Sequence, residues 1–105
     1  MLFRSETLVL LKDTEILKYI CNSFKSSEAM YLLGSWYYTG EHSLKLDYRM
    51  AFEWFRKSAE LSNSQAMNSL GIMYKNGQGI SQDFKIAFGW FEKSVKLGNA
   101  QFMYK

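Results

Sequence analysis

The residues that could carry covalent chemistry are few in this chain. Cys21 is the only cysteine and His42 the only histidine. A nucleophilic site needs a thiol or hydroxyl held against a base such as imidazole. Cys21 falls in a segment predicted to be helical and His42 in a loop of a separate unit, so nothing orients them together. We therefore expect no catalytic residues, and we interpret Cys21 as a small, partly buried apolar residue and His42 as a solvated loop residue.

Two further patterns resemble parts of a site. Gly77-Gln78-Gly79 is glycine-rich, but a phosphate-binding loop follows a strand and leads into a helix N-terminus, usually with Lys-Ser or Lys-Thr. Here the glycines follow a helical segment, so a turn is the better interpretation. Asp83 and Glu92 are nine residues apart, which favours a helix cap and a solvated surface over a pair of catalytic carboxylates.

The cysteine and histidine counts also limit metal and redox chemistry. Cys21 and His42 alone cannot build an intrachain disulfide or a Cys/His zinc site. We predict no metal, no cofactor and a reducing compartment. The apolar run at residues 8–11 is too short for a signal-peptide core, and no stretch is long enough for a membrane span. A cytoplasmic location is therefore the default expectation.

Composition and charge favour a folded helical protein. The 105 residues suffice for one small domain, and 48% hydrophobic with 22% charged residues is an ordinary globular balance. Proline is absent, so no segment is barred from helix. The net charge of +3 is too small to require a polyanionic partner, and we predict no nucleic-acid binding.

An internal repeat defines the elements that would position any binding surface. Two sets of residues recur along the chain, the first at an offset of 37 and the second at an offset of 36. The first set is Ala29, Met30, Leu33, Gly34, Tyr37 and Gly40, and the second is Asp47, Ala51, Phe52, Trp54, Phe55, Lys57, Ser58 and Leu61. The change of offset places one additional residue between Gly40 and Asp47, which a loop tolerates and a packed helix does not. Each unit is therefore predicted to be two helices joined by a turn.

Apolar residues four apart predict both helices of each unit, which we name the A and B helices. The A stripes are Ala29, Leu33, Tyr37 and Ala66, Leu70, Tyr74, and the B stripes are Ala51, Phe55, Ala59 and Ala87, Phe91, Val95. Asp47 and Asp83 are suited to cap the B helices. Gly34 and Gly71 leave room for the approach of a B helix, and the tryptophans Trp54 and Trp90 are large enough to fill the joint between helix pairs.

The ends of the units follow from cap residues. Ser62 and Gly98 come after the B helices, where a left-handed residue commonly closes the last turn, and Ser62 in that conformation costs about 1 kcal/mol. Ahead of the first unit, Asp13 or Thr14 is suited to cap a helix that runs to Phe24. This helix would place four apolar residues on one side: Ile16, Tyr19, Ile20 and Phe24. The predicted organisation is a capping region at 1–26, repeats at 27–62 and 63–98, and the start of a truncated third repeat at 99–105.

The second unit resembles the Sel1-like repeat (SLR), a relative of the tetratricopeptide repeat. Residues 66–80, followed by Asp83, Ala87 and residues 90–94, match both signatures of that repeat, whereas Gly40-Glu41-His42 in the first unit replaces the paired glycines. The resemblance implies an all-α fold, an α-α superhelix (solenoid) of antiparallel helix pairs. It also implies a non-enzymatic scaffold or adaptor for protein-protein interaction, often bacterial.

The resemblance also directs attention to the A helices, which line the concave face in this architecture. The positions not used for packing are Glu28, Tyr31, Ser35 and Tyr38 on the first A helix and Gln65, Asn68, Ile72 and Lys75 on the second. Tyrosines bring contact area at little entropic cost, and Asn68 and Lys75 are suited to hold a peptide backbone or a carboxylate. We predict a protein or peptide partner on this face, and the alternative is an ordinary solvated helix surface.

A second surface competes with the concave face. Phe102, Met103 and Tyr104 belong to the third copy, which has no B helix to cover them. An uncovered apolar end favours stacking. The alternative function is therefore a structural or regulatory module that acts by end-to-end oligomerisation, as a homo-oligomer or part of a longer array, and a hydrolase is the third alternative.

Overall fold

Five α-helices follow one another in the part of the chain that the structure describes. The computed structural model describes the backbone of residues 2–102 and the side chains of residues 13–98. The helices are α1 (Leu2–Phe24), α2 (Ser27–Thr39), α3 (Tyr48–Glu60), α4 (Ser64–Asn76) and α5 (Phe84–Phe102), and the described residues contain no strand. α2 and α4 are the predicted A helices, and α3 and α5 contain the predicted B helices.

The helices pack in chain order. α2 packs closely with α3, and α4 with α5, so that each repeat is a helix pair; α3 joins the two pairs by contacting α4, and α1 packs on α2. The resulting body is elongated, with extents of 49 × 34 × 23 Å. The predicted all-α superhelix of antiparallel helix pairs is confirmed.

Polar side chains cap the helices where the sequence predicts. The Asp47 carboxylate accepts from the Met50 amide at 3.1 Å, and the Asp83 carboxylate accepts from the Ile86 amide at 3.1 Å. Such bonds satisfy N–H groups that have no partner within the first turn. Gly77 ends α4 in the left-handed conformation, at φ 68°, which a residue without a Cβ adopts at no steric cost.

A missing side chain lets the two helices of each pair approach closely. A Cβ on Gly34 would lie 2.8 Å from ring carbons of Phe55, and a Cβ on Gly71 would lie 2.5 Å from the Cε1 of Phe91. Trp54 is buried in the cluster that contains Leu17 of α1 and residues of α2, so it fills the joint between α1 and the first pair. The packing roles predicted for these glycines are confirmed. Trp54 is buried as predicted, although the joint it fills is with the single helix α1, and Trp90 is partly buried against the cluster formed by α3 and α4.

A serine on each B helix ties it to the start of its A helix. The Ser58 hydroxyl donates to the Ser27 carbonyl at 2.6 Å, and the Ser94 hydroxyl donates to the Ser64 carbonyl at 2.7 Å. Ser58 is fully buried. We name these two bonds the serine ties; they recur with the repeat, and the sequence analysis did not anticipate them.

The N-terminal helix differs from its prediction. α1 begins at Leu2, ahead of Asp13 and Thr14, so neither residue is its cap. Thr14 is buried within the helix, and its hydroxyl donates to the His42 carbonyl at 3.2 Å. A residue type that favours caps is accommodated in mid-helix because the neighbouring loop supplies an acceptor.

Three of the four residues predicted to form the apolar side of α1 are exposed. From residue 13 onward, the buried side consists of Thr14, Leu17 and Cys21, with Ile20 partly buried against the same cluster, whereas Ile16, Tyr19 and Phe24 are exposed. Contact with α2, Trp54 and the His42 loop decides which side is covered, and the count of apolar residues does not reveal those contacts.

The left-handed conformation predicted after each B helix is present at Ser62 and absent at Gly98. Ser62 adopts the left-handed conformation at φ 67°, and Lys25 does the same at φ 49° between α1 and α2. Gly98 does not, because α5 continues through it to Phe102. Glycine permits a left-handed turn without requiring one, and a continuing helix keeps its backbone hydrogen bonds. Of the predicted third repeat, residues 99–102 extend α5, and residues 103–105 lie outside the described residues.

Cys21 and His42 are both less exposed than predicted. Cys21 is fully buried, and burial raises the pKa of its thiol. The His42 ring stacks on Trp36 with ring centroids 3.7 Å apart, and its Nδ1 is buried without a hydrogen-bond partner in the described part of the chain. His42 is thus a loop residue, as predicted, but its stacking on Trp36 leaves it only partly exposed.

Candidate functional site

A wide polar cleft lies across the N-terminal ends of the two A helices. Its volume is about 980 Å³. The residues that line it come from α2, α4, α5 and the joint before α4: Ser27, Glu28, Tyr31, Ser62, Asn63, Ser64, Gln65, Asn68, Ser69, Ser94, Val95 and Gly98. We name it the polar cleft. Its lining consists mainly of hydroxyl and amide side chains, which offer both donors and acceptors.

A smaller apolar cleft adjoins the polar cleft further along the A helices. Its volume is about 230 Å³, and it is lined by Tyr31, Ser35, Tyr38, Thr39, Phe55, Ser69 and Ile72. We name it the tyrosine cleft. Because Tyr31 and Ser69 line both clefts, the two are continuous, and together they form what we call the groove.

Ring contacts hold the walls of the tyrosine cleft in place. The ring centroids of Tyr31 and Phe55 are 5.7 Å apart, and those of Tyr38 and Tyr48 are 5.2 Å apart. The Tyr38 hydroxyl donates to Oε1 of Gln78 at 2.9 Å. Gln78 lies in the loop of the second repeat, so the two repeats jointly fix one wall of the cleft. A wall of this kind needs little reorganisation when a ligand binds.

Seven of the eight predicted surface residues line the groove. Glu28, Gln65 and Asn68 line the polar cleft, Ser35, Tyr38 and Ile72 line the tyrosine cleft, and Tyr31 lines both. Lys75 is exposed at the end of α4 and lines neither cleft. The structure therefore brings the predicted side chains together, and their role in binding stays a prediction.

Several groove residues were missed by the sequence analysis. Ser69 lies one helical turn after Gln65, and the same i,i+4 spacing that selected other positions would have found it. Phe55 was assigned to the core, although its ring also forms part of the tyrosine cleft. Ser94 and Val95 reach the polar cleft only because α5 packs beside α4. No sequence signal reports that packing.

The groove has little charge. Glu28 is the one Asp, Glu, Lys, Arg or His side chain among the residues that line the two clefts. Glu28 is exposed and forms no ion pair within the described residues. The ion pair found there joins Arg56 and Glu60 on α3. A carboxylate in this setting is available to a cation on a ligand.

The predicted open end falls largely outside the described residues. The side chains of Phe102, Met103 and Tyr104 are not described. A related surface is present on α5, where Phe84, Phe88 and Val95 are 65%, 67% and 58% exposed. We name these three residues the α5 stripe.

The α5 stripe corresponds by the repeat offset of 36 to residues of α3. Those counterparts are Tyr48, Phe52 and Ala59. Ala59 is buried, and Tyr48 and Phe52 pack against the cluster that includes α4. The apolar positions are thus packed against α4 in the case of α3 and exposed to solvent in the case of α5.

No group of three or more His, Cys, Asp and Glu side chains within the described residues is placed to hold a metal ion. None of the helices, as far as the chain is described, is both long and apolar enough to cross a membrane.

Comparison with known families decides the identity of the repeat. The Sel1 repeat family matches residues 27–63 and again residues 64–99. The chain belongs to the Sel1 repeat family. Sel1 repeat proteins are in general protein-interaction modules and non-catalytic scaffolds.

Individual relatives agree with the Sel1 assignment. The chain is 34% identical over 68 residues to the ERAD-associated E3 ubiquitin-protein ligase component HRD3A of Arabidopsis thaliana, a match that covers 65% of this chain and 10% of that protein. The Sel1 repeat protein of Oxalobacter formigenes superimposes with a TM-score of 0.65 at 30% identity, over 67% of this chain and 53% of that one. Cysteine rich protein B of Helicobacter pylori superimposes with a TM-score of 0.77 at 28% identity, over 84% and 65%. This chain therefore matches about a tenth of the length of the plant protein and between about half and two thirds of these two bacterial structures.

Proposed function

We propose that this chain is an interaction module that holds a segment of a partner protein in the groove. The observation that carries the proposal is the continuity of the groove, in which seven predicted surface residues line two adjoining clefts. Helical-repeat proteins use such extended surfaces to bind other proteins. The general role of Sel1 repeat proteins in protein interaction supports the same proposal.

The chemistry of the groove favours a protein over a nucleic acid. Phosphate backbones are bound mainly by Lys and Arg side chains. The cleft linings contain neither, and Glu28 would repel a phosphate. Amide groups such as those of Gln65 and Asn68 are suited to the alternating N–H and C=O groups of a peptide backbone.

The proposal is tested by a substitution that obstructs the groove without touching the core. Asn68 is exposed and lines the polar cleft, so Asn68→Arg places a long side chain there and leaves the helix intact. Affinity capture identifies a partner, and titration of the purified partner against both forms gives the affinities. We expect the variant to bind at least about tenfold more weakly, because obstruction forfeits interface contacts.

The matched control is Asn76→Arg. Asn76 is exposed on the same helix but lines neither cleft. The control is expected to bind like the unmodified chain. Equal affinity of the Asn68→Arg variant and the unmodified chain would overturn the proposal.

The second candidate function is end-to-end association, and the α5 stripe favours it. Exposed large apolar residues in a row are typical of surfaces that bind another protein. If this surface carried the function, substitutions at Asn68 in the groove would leave the partner bound, and substitutions at Phe84 and Phe88, which line neither cleft, would release it.

We also propose a reducing, cytoplasmic location. The lone cysteine supports it, because its thiol is buried and the described residues contain no partner for a disulfide. A fluorescent fusion of the full chain that accumulated in an oxidising compartment would contradict this location.

A further inference from the structure

We propose that the groove recognises an extended peptide through two side chains, a bulky apolar residue in the tyrosine cleft and a lysine or arginine three positions away beside Glu28. This inference rests on the proposed function and adds the chemistry of the ligand to it. Four properties of the groove carry it: the size of the tyrosine cleft, the state of its hydroxyl groups, the free amides of the polar cleft, and the position of Glu28.

The size of the tyrosine cleft fits a single side chain. Its 230 Å³ is below the range of about 300–1,000 Å³ typical of small-molecule sites. The rings of Tyr31, Tyr38 and Phe55 and the aliphatic side chain of Ile72 form apolar walls. The cleft is therefore suited to the end of one Leu, Met or Phe side chain that is supplied by a longer ligand.

Four of the five hydroxyl groups that line the tyrosine cleft already donate hydrogen bonds within the described residues. Ser35 donates to the Tyr31 carbonyl at 2.9 Å, Thr39 to the Ser35 carbonyl at 3.0 Å, and Ser69 to the Gln65 carbonyl at 3.1 Å. Tyr38 donates to Gln78. The hydroxyl of Tyr31, which lines both clefts, is the exception. A ligand side chain that accepts hydrogen bonds away from Tyr31 would have to break one of the four bonds or remain unpaired, and either is unfavourable. The cleft thus selects an apolar side chain.

The polar cleft has the opposite character. Gln65 and Asn68 are exposed, and neither side-chain amide has a hydrogen-bond partner within the described residues. Each amide offers a donor and an acceptor, which matches the main chain of an extended peptide. The groove therefore pairs one apolar pocket with an adjoining surface for peptide backbone.

The position of Glu28 sets the second specificity. Glu28 and Ser35, which lies midway along the α2 wall of the tyrosine cleft, are two helical turns or about 10 Å apart along the axis. An extended peptide in the polyproline II conformation advances about 3.1 Å per residue with three residues per turn, so side chains three positions apart lie on the same side. A ligand side chain in the tyrosine cleft is thus about three residues from the one beside Glu28, where a cation is favoured.

The inference is tested with synthetic fluorescein-labelled decapeptides of Gly, Ser and Asn that carry one Leu and one Lys three positions apart, in both orders. Fluorescence anisotropy measures their affinity for the full chain. Replacement of Leu by Ser is expected to weaken binding at least about tenfold, because it removes the buried apolar side chain. Replacement of Lys by Glu is expected to weaken binding about two- to fivefold, because an exposed ion pair contributes little. This difference in affinity should shrink at high salt, since salt screens exposed charges.

A charge exchange identifies the residue responsible. With Glu28→Lys, the peptide that carries Glu in place of Lys is expected to bind more tightly than the Lys peptide, which reverses the preference. The effect of the Leu replacement should remain, because the tyrosine cleft is unchanged. Shifting Lys to the position adjacent to Leu should remove the effect of Glu28→Lys.

The outcomes separate this inference from the function on which it rests. If peptides bind and Asn68→Arg weakens them, but the Leu and Lys replacements have no effect, the inference is wrong and the groove remains the binding site. If no peptide of the series binds, the inference is also wrong. The proposed function is judged independently by the affinities of the captured partner for the Asn68→Arg and Asn76→Arg chains.

Discussion

Gly34 and Gly71 show how single residues set the distance between helices. Phe55 and Phe91 occupy the space that a Cβ would need at these glycines. Both glycines were assigned to packing from their recurrence beside predicted B helices. A residue that recurs with the repeat and faces the partner helix is predictable, because its environment also recurs.

The first prediction compares two glycines on neighbouring helices. Gly71→Ala is expected to destabilise the fold by about 1–3 kcal/mol, since the added methyl group meets the Phe91 ring. Gly89→Ala is expected to stabilise it by up to about 1 kcal/mol, because Gly89 lies within α5 with nothing within 4 Å of an added Cβ. Urea denaturation measures both, and a stability loss of equal size at the two positions would contradict the packing assigned to Gly71.

The second prediction concerns Cys21. Burial raises the pKa of its thiol, so the thiol is protonated in the fold at pH values where it would ionise in the unfolded chain. The neutral form is favoured by folding, so this contribution to stability is complete below the ordinary thiol pKa and is lost as pH rises toward the raised value. Cys21→Ala is expected to reduce the loss of stability at alkaline pH, as followed by urea denaturation across a pH series.

The reactivity of the Cys21 thiol gives an independent measurement. Because Cys21 is fully buried, a thiol-specific colorimetric reagent should modify the folded chain slowly and the unfolded chain rapidly. Equal rates in the two states would show that the thiol is accessible.

His42 marks a limit of prediction at this scale. Its place in a loop follows from the repeat, but its stacking on Trp36 depends on the course of an irregular segment. That segment includes left-handed residues at His42 and Ser43, at φ 56° and 65°. Neither is a glycine, so sequence patterns give little indication of the turn.

At the scale of elements, the regular helix pairs were more predictable than their ends. Asp47 and Asp83 identify the starts of the B helices, because a cap is a local interaction between neighbouring residues. α1 was misjudged because which of its sides is buried depends on contacts with α2 and Trp54, far along the chain. Gly98 was misjudged because a residue that permits a turn does not impose one.

The third prediction concerns the serine ties. Ser58→Ala is expected to destabilise the fold by about 1 kcal/mol, the typical loss for a buried hydrogen bond, because it removes the donor to the Ser27 carbonyl. Ser81→Ala, on an exposed loop, is the control and should have no measurable effect. Thermal and urea denaturation together measure the difference, and an unchanged stability for Ser58→Ala would show that the tie is not a stabilising contact.

At the scale of the whole molecule, the repeat predicts that α2 and α4 present corresponding positions on one side. It does not predict the two clefts, because their shape depends on how Phe55, Ser94 and Val95 reach that side from other helices. The identities of the surface positions were therefore available from the sequence, and the volume and continuity of the groove were not.

The fourth prediction tests the α5 stripe. Phe88→Lys is expected to shift the chain toward the monomer at high protein concentration, because it places a charge where an apolar surface would be covered. Ile86→Lys is the matched control, since Ile86 is exposed on the same helix but lies off the stripe. Size-exclusion chromatography with light scattering measures the mass, and a monomer of the unmodified chain at every concentration would exclude end-to-end association of identical copies.

The packing of helices in chain order has a consequence for folding kinetics. Each close helix–helix contact joins segments that are consecutive in the sequence, so a pair forms by closing only a short loop. Chains dominated by such local contacts fold quickly. Either helix pair is able to nucleate and then add its neighbour, as in other repeat arrays. A slow refolding phase is therefore not expected from this topology, and early folding events should map to whichever pair is locally more stable.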